Sequence, residues 1–152
     1  DSLHIVGFSD YAREIKEEDL AKCTWNAWVS GTNLHHALML SRKLLSKEKG
    51  GNRQILVVTD GEPTAHLEGD RSFFAYPPSH RTELETLKEV RRCTQEDIVI
   101  NTFMLENNYQ LVNFVERMTR INSGRAFYSS AANLGEYLLV DYVSNRRKRV
   151  SA

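Results

Sequence analysis

The chain has few of the residues and patterns that mark specialised protein classes. It has two cysteines in 152 residues, Cys23 and Cys93, and neither lies in a Cys-x-x-Cys pair. A disulfide framework is therefore not indicated, and we expect two thiols in a reducing compartment. Lysine plus arginine and aspartate plus glutamate number 20 each. This balance excludes a global field that steers the chain to nucleic acid or an anionic membrane.

Long apolar runs and targeting signals are also missing. The longest apolar stretch falls far short of the roughly 20 residues that a membrane helix needs. The first residues carry no basic and apolar leader, so no signal peptide is indicated. We expect a cytoplasmic protein that binds neither membrane nor nucleic acid. The basic tail at about 145–152 is expected to complement the carbonyl end of the last helix rather than bind nucleic acid.

Predicted strands and helices alternate along the chain. The strands fall at residues 3–8, 13–15, 54–59, 98–105 and 125–128, and the helices begin near residues 34, 82, 110 and 133. This alternation predicts a three-layer αβα fold, a Rossmann-like and mostly parallel doubly wound sheet. No internal repeat or linker divides the sequence, so residues 1–152 are expected to form a single domain.

The most informative stretch is an apolar run that ends in acidic and turn residues. Residues 55–58 are Ile-Leu-Val-Val, and Thr59, Asp60, Gly61 and Glu62 follow. Consecutive apolar residues predict a strand buried on both faces. Asp60 would then lie at the carboxyl end of the strand, where open α/β sheets bind ligands.

A second polar motif comes before the first long helix. Ser30, Gly31, Thr32 and Asn33 precede Leu34. Thr32 is expected to be a metal-facing hydroxyl, the N-cap of that helix, or both at once. Ser9 and Asp10 follow the first strand and are expected at the same sheet edge, where an Asx turn explains them equally well. Together these segments supply only oxygen ligands, which suit Mg²⁺ or Mn²⁺.

The segment from Glu62 to Arg81 has neither a helical nor a strand period. Loops of this length are usually functional or disordered. We expect either a partner-binding loop that presents Phe73, Phe74 and Tyr76, or a mobile insertion. The next helix is predicted to start with a capping box, Thr82 to Glu85, and to bury the apolar residues that follow. Those inward-facing residues are expected to be Leu84, Leu87 and Val90.

In this order, the two polar motifs resemble the von Willebrand factor type A domain. Gly31-Thr32 matches the second part of that family's metal-ion-dependent adhesion site, and Asp60-Gly61 matches the third. The wording Thr-Asp-Gly-Glu-Pro-Thr at residues 59–64 is most similar to bacterial intracellular members, including those that work with MoxR-type AAA+ ATPases. The resemblance extends over nearly the whole chain.

The resemblance implies metal-dependent protein recognition without catalysis. Thr32 would bind Mg²⁺ or Mn²⁺ directly, and Asp60 would bind it directly or through a water. An acidic residue of a protein partner, such as an AAA+ ATPase, would complete the coordination. Ser9, Asp10, Gly31, Gly61 and Glu62 would lie beside this site.

The sequence departs from the family in its first motif. The Asp-x-Ser-x-Ser segment and the strand before it do not occur, although the family's strand order, 3-2-1-4-5-6, makes that strand central. We therefore expect an N-terminally truncated domain with weak or absent metal binding. The missing strand is expected to come from another chain by self-association, from a segment before Asp1, or to be bypassed by direct pairing of residues 3–8 with 54–59.

Two other functions stay open at this point. One is a Mg²⁺-dependent enzyme that binds phosphate or phosphoribosyl groups, although Pro63 lacks an amide where a phosphate cradle would need one. The other is a metal-free scaffold. Common catalytic and nucleotide-binding motifs do not occur. A zinc site is disfavoured because the adjacent His35 and His36 cannot face one ligand together on a helix.

Overall fold

The computed structural model describes residues 2–22, 31–48, 50–130 and 133. The strands are β1 (Ile5–Phe8), β2 (Ala12–Ile15), β3 (Arg53–Thr59), β4 (Ala65–Glu68), β5 (Arg71–Phe74), β6 (Ile98–Met104) and β7 (Ala126–Tyr128). The helices are α1 (Leu34–Ser46), α2 (His80–Gln95) and α3 (Tyr109–Ile121), with a short 3₁₀ helix at Glu17–Lys22. The predictions for Cys23, Ser30, the last helix and the basic tail lie outside the described residues.

The central element is a parallel sheet with the strand order β3-β6-β7. At its carboxyl edge, Leu105 N donates to Thr59 O at 2.9 Å, and Ser129 N donates to Met104 O at 3.0 Å. The chain segments that leave all three strands therefore start from one edge. The parallel sheet flanked by helices confirms the predicted α/β class.

The three helices cover one face of this sheet. A single apolar cluster joins Leu38, Val90 and Val115, one from each helix, to Ile55 and Val57 of β3. On the opposite face Leu56 is 39% exposed. The prediction that β3 is buried on both faces is therefore wrong for the described part of the chain, because only the face that carries Ile55 and Val57 is packed against these helices.

The β1–β2 hairpin is a separate antiparallel sheet that rests on α1. Within the described residues, β1 pairs only with β2, and β3 pairs only with β6. Direct pairing of residues 3–8 with 54–59, one of the three expected outcomes, is therefore wrong. His4 holds the hairpin to the end of α1, with its ring nitrogens 3.1 Å from Glu14 Oε1 and 3.0 Å from Glu48 Oε1.

The segment after Asp60 contains a second hairpin instead of an irregular loop. Strands β4 and β5 pair antiparallel, with Ala65 opposite Phe74 and Glu68 opposite Arg71. Gly69 takes a left-handed conformation, φ 62°, in the turn between them. Each strand has only four residues, too few for a period-2 pattern to be visible in the sequence, so the prediction of a segment without structure is wrong.

Helix α2 begins before the predicted capping box. Ser79 is its N-cap, and the Ser79 side chain accepts a hydrogen bond from Thr82 N at 3.1 Å. Thr82 is buried inside the first turn, where its hydroxyl lies 2.8 Å from His66 Nδ1. Leu84, which was predicted to face inward, is exposed. Because Ser79 is the N-cap, the Thr82 hydroxyl can contact His66 of the β4–β5 hairpin.

Two buried polar groups connect these elements. Glu89 of α2 lies 2.6 Å from Arg42 Nε of α1 and 2.8 Å from Arg92 Nη1, and its side chain is fully buried. Asn122, at the end of α3, bonds to the backbone of β6 and to Gly124 N. None of the helices in the described part of the chain is long and apolar enough to cross a membrane.

Candidate functional site

Asn33 joins the turn at Ser9 and Asp10 to the start of α1. Its backbone N donates to Ser9 O at 2.8 Å, and its side-chain Nδ2 donates to Asp10 O at 2.8 Å. Its Oδ1 accepts from His36 N and caps the helix. Asn33 is therefore the N-cap, and Thr32 is not, so the Thr32 hydroxyl is not used for capping. Asn33 was not predicted as a site residue, although asparagine before an apolar helical stripe is a strong N-cap signal.

Thr32 is held against the segment that follows Asp60. Thr32 N donates to Thr64 Oγ1 at 2.9 Å, and Thr32 O accepts from Thr64 N at 3.0 Å and from Ala65 N at 3.2 Å. Thr64 was not predicted as a site residue, because its bonds to Thr32 join positions far apart in the sequence. These bonds and those of Asn33 bring Ser9, Asp10, Gly31 and Thr32 together with the start of the second hairpin.

Asp60 follows β3 and is exposed at the carboxyl edge of the sheet. The turn after it is closed by Thr59, whose hydroxyl donates to Gly61 O at 2.9 Å. Glu62 is half-buried, and burial raises the pKa of its carboxyl group above the ordinary value. The structure thus presents Asp60 to solvent and draws Glu62 partly into the protein.

Asp10 contacts the residue directly before Thr32. A methyl group on Gly31 would collide with the Asp10 carboxylate, and the Gly31 φ of 153° also disfavours other residues. Asp10 Oδ1 is buried and, within the described residues, has no hydrogen-bond partner. A buried carboxylate oxygen without a partner is unfavourable unless a cation or a donor occupies the site.

The two adjacent histidines of α1 face different hairpins, as predicted for neighbouring helical residues. His35 Nδ1 accepts from Leu67 N at 3.0 Å, and His36 Nδ1 accepts from Ala12 N at 2.8 Å. An acceptor Nδ1 requires a neutral imidazole with its proton on Nε2. These histidines therefore fix both hairpins to the beginning of α1 through backbone hydrogen bonds.

The oxygen groups fit a hydrated hard cation better than a closed metal cage. Across residues 2–22, 31–48, 50–130 and 133, no group of three or more His, Cys, Asp or Glu side chains is arranged to hold a metal ion. Mg²⁺ keeps several waters and is bound through one or two carboxylates. The Thr32 hydroxyl, the exposed Asp60 carboxylate and the unpartnered Asp10 oxygen are hard oxygen groups of the type that such a cation takes.

Exposed aromatic side chains lie on the second hairpin and the residues after it. Phe73 and Phe74 are exposed on β5, and Tyr76 is 79% exposed. Tyr11, from the turn of the first hairpin, accepts a hydrogen bond from Ser72 N at 3.1 Å through its hydroxyl. Ala75 N, which lies between Phe74 and Tyr76, donates to Thr64 O at 3.1 Å, so this segment is held beside Thr32 through Thr64.

The pH dependence of stability provides a test of the histidine contacts. Burial lowers the pKa of His35 and of His36 below the ordinary 6.5, so the unfolded chain takes up protons first as the pH falls. We expect the free energy of unfolding to decrease below about pH 6.5 and to be fully retained above it. Urea denaturation between pH 5 and 8 measures this slope, and His35→Gln or His36→Gln should flatten it.

His4 provides an internal contrast of opposite sign. Hydrogen bonds to Glu48 and then Glu14 raise the pKa of His4, so its contribution is present at acidic pH and is lost as the pH rises through the folded-state pKa. His4→Gln should therefore make the decrease toward acid steeper. Stability that does not change with pH in both the wild type and His4→Gln would contradict the assignment of His35 and His36 as neutral acceptors.

Comparisons with known proteins agree with this architecture. The family model described as Rv0959-like protein, vWA domain, matches residues 1–143. Uncharacterized proteins of Mycobacterium tuberculosis (Rv0959) and Mycobacterium bovis (Mb0984) are each 35% identical over 153 residues. The match covers 97% of this chain and 23% of either relative, so the chain spans about a quarter of their length.

Two solved structures share the fold at low sequence identity. The hypothetical protein BatB from Bacteroides thetaiotaomicron has a TM-score of 0.63 at 11% identity, covering 95% of this chain and 78% of BatB. The minor pilin PilB from Streptococcus sanguinis has a TM-score of 0.60 at 16% identity, covering 97% of this chain and 48% of PilB. Von Willebrand factor type A domains are protein-interaction modules. The family match over nearly the whole chain shows that this chain belongs to the Rv0959-like family of von Willebrand factor type A domains.

Proposed function

We propose that the domain is a non-catalytic recognition module that binds a protein partner through Mg²⁺ or Mn²⁺ at the edge formed by Thr32 and Asp60. The observation that supports this most strongly is the set of hydrogen bonds at Asn33 and Thr32. They join the Ser9–Asp10 turn, the start of α1 and the segment after Asp60 into one surface. Polar groups from separate parts of the chain are thereby collected where the sheet ends.

Thr32 and Asp60 would hold the cation, and waters would complete much of its coordination. When bound, the cation supplies a positive position that attracts an acidic side chain of the partner. The chain's own residues keep this surface rigid. Thr64 holds the Thr32 backbone through both its hydroxyl and its amide, and Asn33 holds the Ser9–Asp10 turn.

The partner surface would extend from the cation to the second hairpin. Phe73, Phe74 and Tyr76 offer exposed aromatic area next to the Thr32 loop, and aromatic residues are enriched at protein interfaces. The partner proposed is a protein with an acidic contact residue, and a MoxR-type AAA+ ATPase is the first protein to test. A cytoplasmic location would place the domain with such an ATPase.

A magnesium titration of the full-length protein tests the metal requirement. We expect Mg²⁺ to raise the thermal midpoint, because a ligand at 100 times its Kd stabilises the folded state by about 2.7 kcal/mol. Asp60→Asn and Thr32→Val should abolish this response. Asp70→Asn, an exposed aspartate in the turn of the second hairpin, is the matched control and should respond like the wild type.

Partner binding is then measured with a purified MoxR-type ATPase, without nucleotide, in Mg²⁺ and in EDTA. The proposal expects binding in Mg²⁺ that Asp60→Asn and Phe74→Ala both weaken. A wild type that ignores Mg²⁺ but still binds the ATPase would favour a metal-free scaffold. Turnover of a phosphorylated substrate that depends on Asp60 would favour an enzyme.

A further inference from the structure

We infer that Asp10 is a third oxygen group of the cation site, in addition to Thr32 and Asp60. This inference rests on the proposed function, since it assigns another residue to the same site. The Gly-Thr and Asp-Gly motifs that contain Thr32 and Asp60 do not include Asp10 and do not predict it as a cation-binding group.

The backbone around Asp10 is fixed from three directions. Ser9 N donates to Tyr11 O at 3.0 Å, Asn33 N donates to Ser9 O, and Asn33 Nδ2 donates to Asp10 O. Asn33 is itself buried at the start of α1. The Asp10 side chain therefore starts from a rigid turn, directed by the same residue that caps the helix after Thr32.

The carboxylate lies against the backbone of the Thr32 loop. Gly31 leaves the space that a side chain would fill, and any Cβ there would collide with Asp10 Oδ1. Gly31 directly precedes Thr32 in the chain, so the oxygen lies beside the backbone that leads into Thr32. This close approach places the Asp10 carboxylate against the backbone of the residue directly before Thr32.

Turn formation does not account for this carboxylate oxygen. In an Asx turn the side chain accepts a backbone N–H of its own segment. Oδ1 is buried, yet within the described residues it accepts no hydrogen bond. A buried carboxylate oxygen costs free energy unless a donor or a cation compensates it. A hydrated cation at Thr32 and Asp60 would supply that compensation through its charge or its water.

The test compares Mg²⁺ binding and thermal stability in the full-length protein for Asp10→Asn, Asp60→Asn and the control Asp70→Asn. Without Mg²⁺, Asp10→Asn should unfold at the same temperature as the wild type or higher, because the uncompensated charge is removed. In calorimetric titration with Mg²⁺ alone, its Kd should rise at least about tenfold, the effect of losing a group that supports a metal ligand. Asp70→Asn should leave both quantities unchanged.

The possible outcomes separate the two proposals. If Asp60→Asn abolishes Mg²⁺ binding while Asp10→Asn keeps a Kd within twofold of the wild type, the role of Asp10 is overturned and the proposed function stands. If the wild type binds no Mg²⁺, both are overturned. Should Asp10→Asn not fold, Asp10→Ser is measured instead, with the same tenfold loss expected.

Discussion

Replacing Arg42 with methionine should lower the free energy of unfolding by about 3 kcal/mol, the lower end of the range for breaking a buried ion pair. Arg42 is 29% exposed, whereas the Glu89 carboxylate that it contacts is fully buried. The substitution keeps the apolar stem and removes the charge, so Glu89 is left in the interior with Arg92 alone, whose side chain is 49% exposed. Urea denaturation measures the loss, and Arg91→Met, on an exposed residue of α2, is the matched control.

The reverse substitution should be milder. In Glu89→Met the buried charge disappears, and the two partly exposed arginines can turn toward water. The double variant Arg42→Met/Glu89→Met should be more stable than Arg42→Met alone, because it no longer contains the buried Glu89 carboxylate without its Arg42 partner. Equal losses for Arg42→Met and Glu89→Met, with simple additivity in the double variant, would contradict the proposed cause.

Asn122→Ala should destabilise the domain by about 3–5 kcal/mol, since each buried group left without a partner costs about 1–3 kcal/mol. Asn122 Oδ1 accepts from Ile100 N and from Gly124 N, both at 2.9 Å, and Nδ2 donates to Ile98 O at 2.8 Å. One side chain therefore supplies hydrogen-bond partners to three backbone groups in the connection between α3 and β7. Water cannot replace it easily, because Gly124 lies so close to Ile100 that a Cβ would collide with the Ile100 carbonyl oxygen.

Chemical denaturation of Asn122→Ala measures this loss, with Asn107→Ala as the control. Asn107 is exposed before α3, and its substitution should change stability by no more than about 0.5 kcal/mol. A loss below about 1 kcal/mol for Asn122→Ala would mean that the three backbone groups find other partners, and the bridging role of Asn122 would then be wrong.

Much of the architecture could be predicted from periodicity. The apolar run before Asp60 and the run at residues 98–104 both form strands of the parallel sheet. The second hairpin could not be predicted in this way. Its strands are too short for a readable period, and they are held by tertiary contacts to His35 and Thr32. Long-range bonds of this kind leave no local signature in the sequence.

In the candidate site, too, the residues in local motifs could be predicted, and the residues held by long-range contacts could not. Thr32 and Asp60 were named from short motifs that lie where strands and helices meet, and the structure gives both positions at the expected ends of their elements. Asn33 and Thr64, which connect those positions, were missed because their partners are far away in the sequence. The sequence left open whether Thr32 also caps α1, and the hydrogen bond from His36 N identifies Asn33 as the N-cap instead.

The acceptor role of the two α1 histidines has a consequence for competition between metals. Zinc and copper bind most divalent sites more tightly than magnesium, and imidazole nitrogen is among their preferred ligands. His35 and His36 follow Thr32 within four residues, yet the Nδ1 atom of each is occupied by a backbone N–H. Two nitrogen donors beside the proposed cation site are thereby withheld at Nδ1. The neighbouring oxygen groups would then favour a hard cation in a cell that contains both kinds.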